Sequence, residues 1–223
     1  MITLHHLENS QSIRILWLLE ELGEEYGFKM YDRDPETMLA PANYKALSPL
    51  GTAPVITDDA VALSESNAII DYILDQTDIQ DLRPAPGDAD RAQYLFWFHA
   101  AQGSYQSLQT GRFVNSLAVE RSPRLVRGII GKVMGMLDQV FYGPRLKAVM
   151  TKMEDDLSRH PFLAGERFTA ADIAMGYTLQ MAAMRGDLAE DYPHTQAYVE
   201  RMEARPAWQA ALTKDGKFVG VPS

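Results

Sequence analysis

Ser10-Gln11-Ser12-Ile13-Arg14-Ile15-Leu16-Trp17-Leu18-Leu19-Glu20-Glu21-Leu22-Gly23 decides the fold of the first half of the chain. Ile15, Leu18, Leu19 and Leu22 share one helical stripe, Ser10 or Gln11 opens the helix and Gly23 closes it. Just before it, Ile2 to His5 is short and β-rich and reads as a first strand. Just after it, Phe28 to Tyr31 reads as a second. Residues 35 to 49 hold Pro35, Pro41 and Pro49, so they form a loop with a short helix at most. Val55-Ile56-Thr57 and Val61-Ala62-Leu63 flank Asp58-Asp59-Ala60, which is a hairpin pattern. Ser64-Glu65-Ser66-Asn67 then starts a helix that carries Ile69, Ile70, Ile73 and Leu74. The order β-α-β, connection, β-β-α predicts a small mixed sheet covered by helices.

Beyond residue 80 the pattern changes. Asp81-Leu82-Arg83-Pro84-Ala85-Pro86-Gly87-Asp88 has the composition of a linker, and no strand signal follows it. A long helix is expected from about Ala89 to about Ser116 and a second from about Pro123 to Val140. Pro144 opens a third that ends near His160. Thr169 starts another, with two short helices near Pro193 and Pro206. The expected organisation is an α/β domain over 1–80, a linker over 81–88 and an all-helical domain over 89–223.

The 223 residues are 46% apolar and 23% charged, ordinary for a chain with a real core. A net charge of −9 with scattered Lys and Arg argues against nucleic acid and against an acidic membrane surface as partners. The absence of cysteine excludes disulfides, thiolate metal ligands and a Cys nucleophile, and fits a cytoplasmic location. No leader and no membrane-spanning run is expected.

Three short segments carry chemistry. The turn Glu8-Asn9-Ser10-Gln11-Ser12 precedes a helix N-terminus, where backbone N–H groups and the helix dipole favour an anion such as a thiolate. Taken alone, Ser10 and Ser12 fit a helix cap better. Gly51-Thr52-Ala53-Pro54-Val55 puts a proline at a strand entrance. A cis Ala53–Pro54 bond would leave the Ala53 backbone free to face a ligand, although most such bonds are trans. Ser64-Glu65-Ser66 could take an ammonium on Glu65 and a carboxylate on Ser66, or could be a simple N-cap with a first-turn acid. Together the three describe a thiolate site, a pairing edge and a clamp for an α-amino acid head.

Asn9 to Gly23, Ser48 to Ile56, Leu63 to Ile69 and Phe162 to Ala174 resemble the cytosolic glutathione transferase superfamily. The resemblance covers nearly the whole chain and lies nearest to Ser-type bacterial and fungal members. It implies an N-terminal thioredoxin-like domain followed by an all-helical domain. It also implies an enzyme that ionises glutathione and adds it to a small hydrophobic electrophile. Ser10, four residues before Arg14, stands at the catalytic position; Ser12 is two away. The resemblance assigns Ala53 and Pro54 to main-chain pairing of glutathione and Glu65 and Ser66 to its γ-glutamyl end; it assigns no residue to the glycyl end, for which Lys45 and Thr52 are candidates. Gln102 and Tyr105 are candidates for the electrophile wall, and equally for core packing. Glutathione is a co-substrate, and no metal or redox cofactor is expected. A homodimer is implied. Peroxide reduction, isomerisation and a non-catalytic carrier role remain alternatives within the same fold.

Two further motifs are assigned to structure. Thr169 and Asp172 have capping-box spacing, with Phe168 and Ile173 placed as a hydrophobic staple. His5 and His6 point to opposite faces of a strand and are expected to be one buried and one exposed.

Overall fold

The computed structural model describes residues 1–78, 81–184, 188 and 191–216. Residues 80 and 223, the expected ends of the two domains, lie outside the described residues. The first half runs β1 (Thr3–Leu7), α1 (Ile13–Leu22), β2 (Gly27–Tyr31), α2 (Ala42–Lys45), β3 (Val55–Asp58), β4 (Val61–Ser64), α3 (Ser66–Leu74). The sheet order is β2-β1-β3-β4. β1 is parallel to β2, as a helical crossover requires, and antiparallel to β3, which pairs in turn with β4. This is the mixed sheet that the sequence pattern predicts.

The register gathers four chain ends at one edge. His5 pairs with Val55, Leu7 with Tyr31, and Val55 with Ser64. The turn after β1, the segment before β3 and the start of α3 therefore sit at the same end of the sheet.

Helix α1 is buried nearly all round, not along one stripe. Ile13, Arg14, Ile15, Leu16, Trp17, Leu18, Leu19 and Leu22 are all buried. The sheet covers one side and the C-terminal helices the other. The Trp17 ring meets Trp208 edge-on at 5.1 Å and Phe168 at 5.7 Å. Gly23 ends the helix with φ 66°, its N–H donating to the Leu19 carbonyl, the left-handed cap that glycine makes without strain.

Both histidines of β1 are buried, which corrects the expectation of one exposed. They do point to opposite faces, but each face is covered. His5 lies under β2 and α2, bonded to the Tyr31 hydroxyl at 2.9 Å and to Thr57 Oγ1 at 3.0 Å. His6 lies under α1 and the C-terminal helix.

The second half runs α4 (Arg91–Ala100), α5 (Ser107–Glu120), α6 (Arg124–Leu137), α7 (Gly143–Leu157), α8 (Ala170–Met184), α9 (Pro193–Glu203) and α10 (Pro206–Asp215). A π-helical segment, Ala101–Gln106, joins α4 to α5, so the expected long helix is one rod with a wider turn in it. A second, Asp138–Tyr142, joins α6 to α7. Pro144 therefore does not open a separate helix. It has no N–H for the carbonyl four residues back and its ring crowds that carbonyl, and the wide turn before it takes up both effects.

At the start of α8, Asp172 accepts the Thr169 N–H at 2.8 Å and the Thr169 hydroxyl at 3.0 Å. It also accepts the Leu163 N–H and the Tyr198 hydroxyl. Four donors on one buried carboxylate make it a folding residue, as the capping-box spacing predicts. No helix among the described residues is long and apolar enough to cross a membrane.

Candidate functional site

At the gathered edge of the sheet lies a cleft of about 320 Å³. Its walls include Asn9, Ser10 and Gln11 from the turn after β1, Lys45 behind α2, and Gly51, Thr52 and Ala53 before β3. Arg33 and Tyr177 line it as well, with Leu7, Leu39 and Ala40. Of the predicted residues, the structure thus brings Ser10, Lys45, Thr52 and Ala53 together in one cavity. Pro54 is buried behind Ala53, and the Ala53–Pro54 bond is cis.

Asn9 takes a positive φ of 47°, a conformation that Asn tolerates better than most side chains. Arg33 fixes this turn from β2's side. Its Nε donates to the Glu8 carbonyl at 3.0 Å and its Nη2 to the Asn9 carbonyl at 3.1 Å. The sequence offered no sign of this role, because the two segments are 24 residues apart.

Neither serine of the turn is an ordinary side-chain cap. Ser12 is the residue before α1, yet it makes no capping bond. Ser10 Oγ lies 2.7 Å from both the Leu7 carbonyl and Ser12 Oγ, and accepts the Ser12 N–H at 3.2 Å. Ser12 Oγ accepts the Leu7 N–H at 3.2 Å and lies 2.9 Å from His6 Nδ1. Ser12 is fully enclosed, whereas Ser10 keeps a small exposed area on the cleft.

Glu65 and Ser66 sit beside this cleft. Glu65 is exposed with φ 80°, and Ser66 begins α3. Neither supplies a side-chain cap to that helix. Ser66 Oγ points at Gln11 Oε1 across 3.5 Å. That oxygen also accepts from Arg14 Nη1 at 3.1 Å and from Gln102 Nε2 at 3.1 Å. Arginine can only donate, so the Gln11 oxygen must face inward and its NH₂ group is turned the other way.

Arg14 is the electrostatic centre behind the cleft. It is completely buried, and burial pushes its pKa down to about 10. Its Nη2 donates to Gln106 Oε1 at 3.0 Å and to Thr178 Oγ1 at 2.6 Å, and its guanidinium lies 5.1 Å from the centre of the Tyr177 ring. No carboxylate among the described residues pairs with it. The positive field of this group has no local counter-charge, so an anion in the cleft would be favoured.

The two residues offered for an electrophile wall, Gln102 and Tyr105, are placed differently from one another. In the π segment, residues four apart share a face, so Gln102 and Gln106 both look toward α1. Gln102 reaches the site through Gln11. Tyr105 turns inward: it is 1% exposed, inside the core, and its hydroxyl lies 3.4 Å from Gln109 Nε2. This removes Tyr105 from the cleft wall. A second cavity of about 130 Å³, with Gln106, Gln109, Phe113, Tyr177, Thr178 and Met181 in its lining, was not marked by any sequence signal. Tyr177 lines both cavities. An aromatic and a methionine at helical spacing on α8 look like core in a sequence, so no local signal marks them.

Two family models match the chain: the glutathione S-transferase N-terminal domain over residues 10–76 and its C-terminal domain over 143–201. Glutathione S-transferase 3 of Schizosaccharomyces pombe is 32% identical over 216 residues, 96% of this chain and 88% of that one. The crystal structure of a glutathione S-transferase from Actinobacillus pleuropneumoniae superposes with a TM-score of 0.75 at 32% identity. That match covers 98% of this chain and 94% of the other. A theta class glutathione S-transferase from Xanthomonas axonopodis pv. citri, solved with glutathione bound, superposes at 0.70 with 27% identity, over 94% and 96% of the two chains.

Proposed function

Since the chain belongs to the glutathione S-transferase superfamily, we propose that it holds glutathione as its thiolate in the cleft beside Ser10 and joins that sulfur to a small hydrophobic electrophile. The observation that carries this reading is the meeting of Ser10, Ala53 and Thr52 in one cavity, backed by a buried cation, with Ser66, next to Glu65, facing Gln11 of its wall. Backbone groups of Ala53 pair with the peptide. Glu65 takes the ammonium of the γ-glutamyl end and Ser66 its carboxylate. Lys45 and Thr52 face the glycyl end. Tyr177 and Phe113 offer apolar surface to the electrophile, with Gln102 at the boundary.

Catalysis here is thiolate stabilisation and proximity. A free thiol titrates near 8.5, and a helix N-terminus, a hydroxyl donor and a nearby cation all lower that value. Each unit of lowering is about 1.4 kcal/mol. Holding the thiolate against an oriented electrophile supplies the rest. Nothing in this sequence of steps calls for a metal or a redox cofactor.

We also infer a homodimer in the cytoplasm. The support for the dimer is α6 with the π segment after it, neither of which has a buried residue: Leu125, Ile129, Val133 and Met136 of α6 and Val140 of the segment form one exposed apolar row. Kinship with cytosolic transferases supports the location.

Titration of glutathione into the purified protein, with ultraviolet detection of thiolate across pH, tests the site. Binding with a thiol pKa well below the free value is expected. No binding at millimolar glutathione would overturn the reading, and binding with an unshifted pKa would make the protein a carrier.

A further inference from the structure

Behind Ser10 runs an unbroken line of polar side chains that ends in a buried carboxylate. Ser10 Oγ is 2.7 Å from Ser12 Oγ, which is 2.9 Å from His6 Nδ1. His6 Nε2 is hydrogen-bonded to Asp215 Oδ1 of α10, 209 residues away in sequence. All four side chains are buried, and only Ser10 reaches the cleft. Catalysis by thiolate stabilisation alone has no use for this line, and its cost is plain. Burying a carboxylate and an imidazole is unfavourable unless they are paired.

The chemistry of the line is directional. A carboxylate accepts only, so His6 Nε2 carries the hydrogen and donates it to Asp215, which fixes the tautomer. His6 Nδ1 is then an acceptor, and the Ser12 hydroxyl donates to it. Ser12 Oγ in turn can accept from the Ser10 hydroxyl. The Ser10 hydrogen thus points inward, to Ser12 or to the Leu7 carbonyl, and not toward the place where the sulfur would lie.

We propose that Ser10, Ser12, His6 and Asp215 form a proton relay that takes the proton of the glutathione thiol into the protein as the thiolate forms. The proposal rests on the glutathione site assigned above. The S–H bond breaks and its proton goes to Ser10 Oγ. Ser10 passes its own proton to Ser12 Oγ, and Ser12 passes its own to His6 Nδ1. The products are a thiolate and an imidazolium paired with Asp215, with no proton gained from or lost to solvent. Ser10 ends with its new hydrogen between oxygen and sulfur, which is the donor a bound thiolate needs. When the sulfur becomes a neutral thioether, the proton returns by the same two hydroxyls and leaves Ser10 for the carbanion or leaving group of the electrophile, or for water in the cleft, so that His6 is neutral again.

The groups that face His6 suit this role. Ser12 faces it from the start of α1, the Phe28 ring from β2 with centroids 5.6 Å apart, and Asp215 from α10. The cations beside the cleft, Arg33 and Lys45 on its wall and Arg14 behind Gln11, stabilise the sulfur side of the transfer.

The test counts protons. Glutathione is titrated into the full chain by calorimetry in two buffers of different ionisation enthalpy near neutral pH, while ultraviolet absorption measures the thiolate formed. The expected result is thiolate without release of a proton to the buffer, together with a protonated His6 imidazole in nitrogen-15 spectra. Ser12→Ala cuts the relay but leaves the His6–Asp215 tie between β1 and α10 in place. It is expected to form at least tenfold less thiolate at neutral pH and to release one proton for each thiolate that remains. Ser12→Thr restores the parent behaviour. One proton released per thiolate in the parent protein, or a neutral His6 beside a formed thiolate, would overturn the relay and leave the glutathione site standing. Failure of the parent protein to bind glutathione as thiolate would overturn both.

Discussion

Arg14 of α1 donates to Thr178 of α8 at 2.6 Å, and this contact holds a fully buried cation between the two halves of the chain. A buried charge without a carboxylate partner is costly, and replacing one by an apolar side chain is often neutral or stabilising. Its acceptors would not be orphaned. Gln11 Oε1 keeps the Gln102 amide and Gln106 Oε1 keeps the Thr178 hydroxyl. Arg14→Met is therefore expected to change unfolding free energy by less than about 1.5 kcal/mol while raising the pKa of bound glutathione by about one unit. Urea unfolding and thiolate absorbance read the two effects separately. An unchanged thiol pKa would show that the cation serves packing only.

Ser10 should behave differently from Arg14. Ser10→Ala deletes one charge-assisted hydrogen bond to the thiolate, worth roughly 1.5–3 kcal/mol. Turnover with a standard electrophile is expected to fall about ten- to a hundredfold, with glutathione affinity changed only a few-fold. Parent-like turnover would remove Ser10 from the chemistry.

The sequence reveals the parts of the site that local pattern controls. The β-α-β and β-β-α order, the Ala53–Pro54 entrance to β3 and the Glu65–Ser66 start of α3 are all short-range features. What it hides is tertiary. Arg14 sits on the stretch that fixes the fold, but its burial depends on Gln106 and Thr178, which are 92 and 164 residues away. His6 looked like half of an indifferent pair until α10 brought Asp215 against it. Tyr105 and Gln106 are neighbours in sequence, and only the π turn decides which one faces the core. Pro144 looked like a helix start because local rules cannot see that a wide turn ahead of it lets the rod continue.

His5 sets an acid limit on stability. Burial is the main cause that lowers its pKa from the ordinary 6.5, with Lys29 adding to it. The folded state then binds fewer protons than the unfolded chain near that value. The stability from neutral His5 is full above about pH 6.5 and is lost as pH falls toward the lowered folded value. His5→Gln can still bond to Tyr31 and Thr57 and should flatten this acid slope. Unfolding midpoints between pH 7 and pH 5 check it, and an equal slope in both proteins would exclude His5 as its source.

Gly176 of α8 packs directly against Trp17 of α1. A Cβ there would lie 2.6 Å from the Trp17 ring, which is itself fully buried against Trp208 and Phe168. The ring cannot swing aside in a packed core, so Gly176→Ala is expected to destabilise the protein by about 1–3 kcal/mol. The gain in helix propensity, up to about 1 kcal/mol, opposes this and is the smaller effect. A thermal midpoint equal to or above the parent's would mean that the α1–α8 contact yields.

The apolar row that runs along α6 into the π segment after it predicts the assembly. Leu125 is 96% exposed and Val140 71%, with Ile129, Val133 and Met136 between them on the same side. Spacings of four, four, three and four residues keep all five on one helix face. Water contact over such a row is unfavourable by about 25 cal/mol for each Å² of apolar surface, and a second copy would relieve it on both chains at once. Ile129→Glu with Val133→Glu places two charges in the middle of the row without touching a buried side chain. Analytical ultracentrifugation is expected to show a dimer for the parent and a single folded chain for the double variant. A parent protein that sediments as one chain at micromolar concentration would remove self-association as the reason for the row.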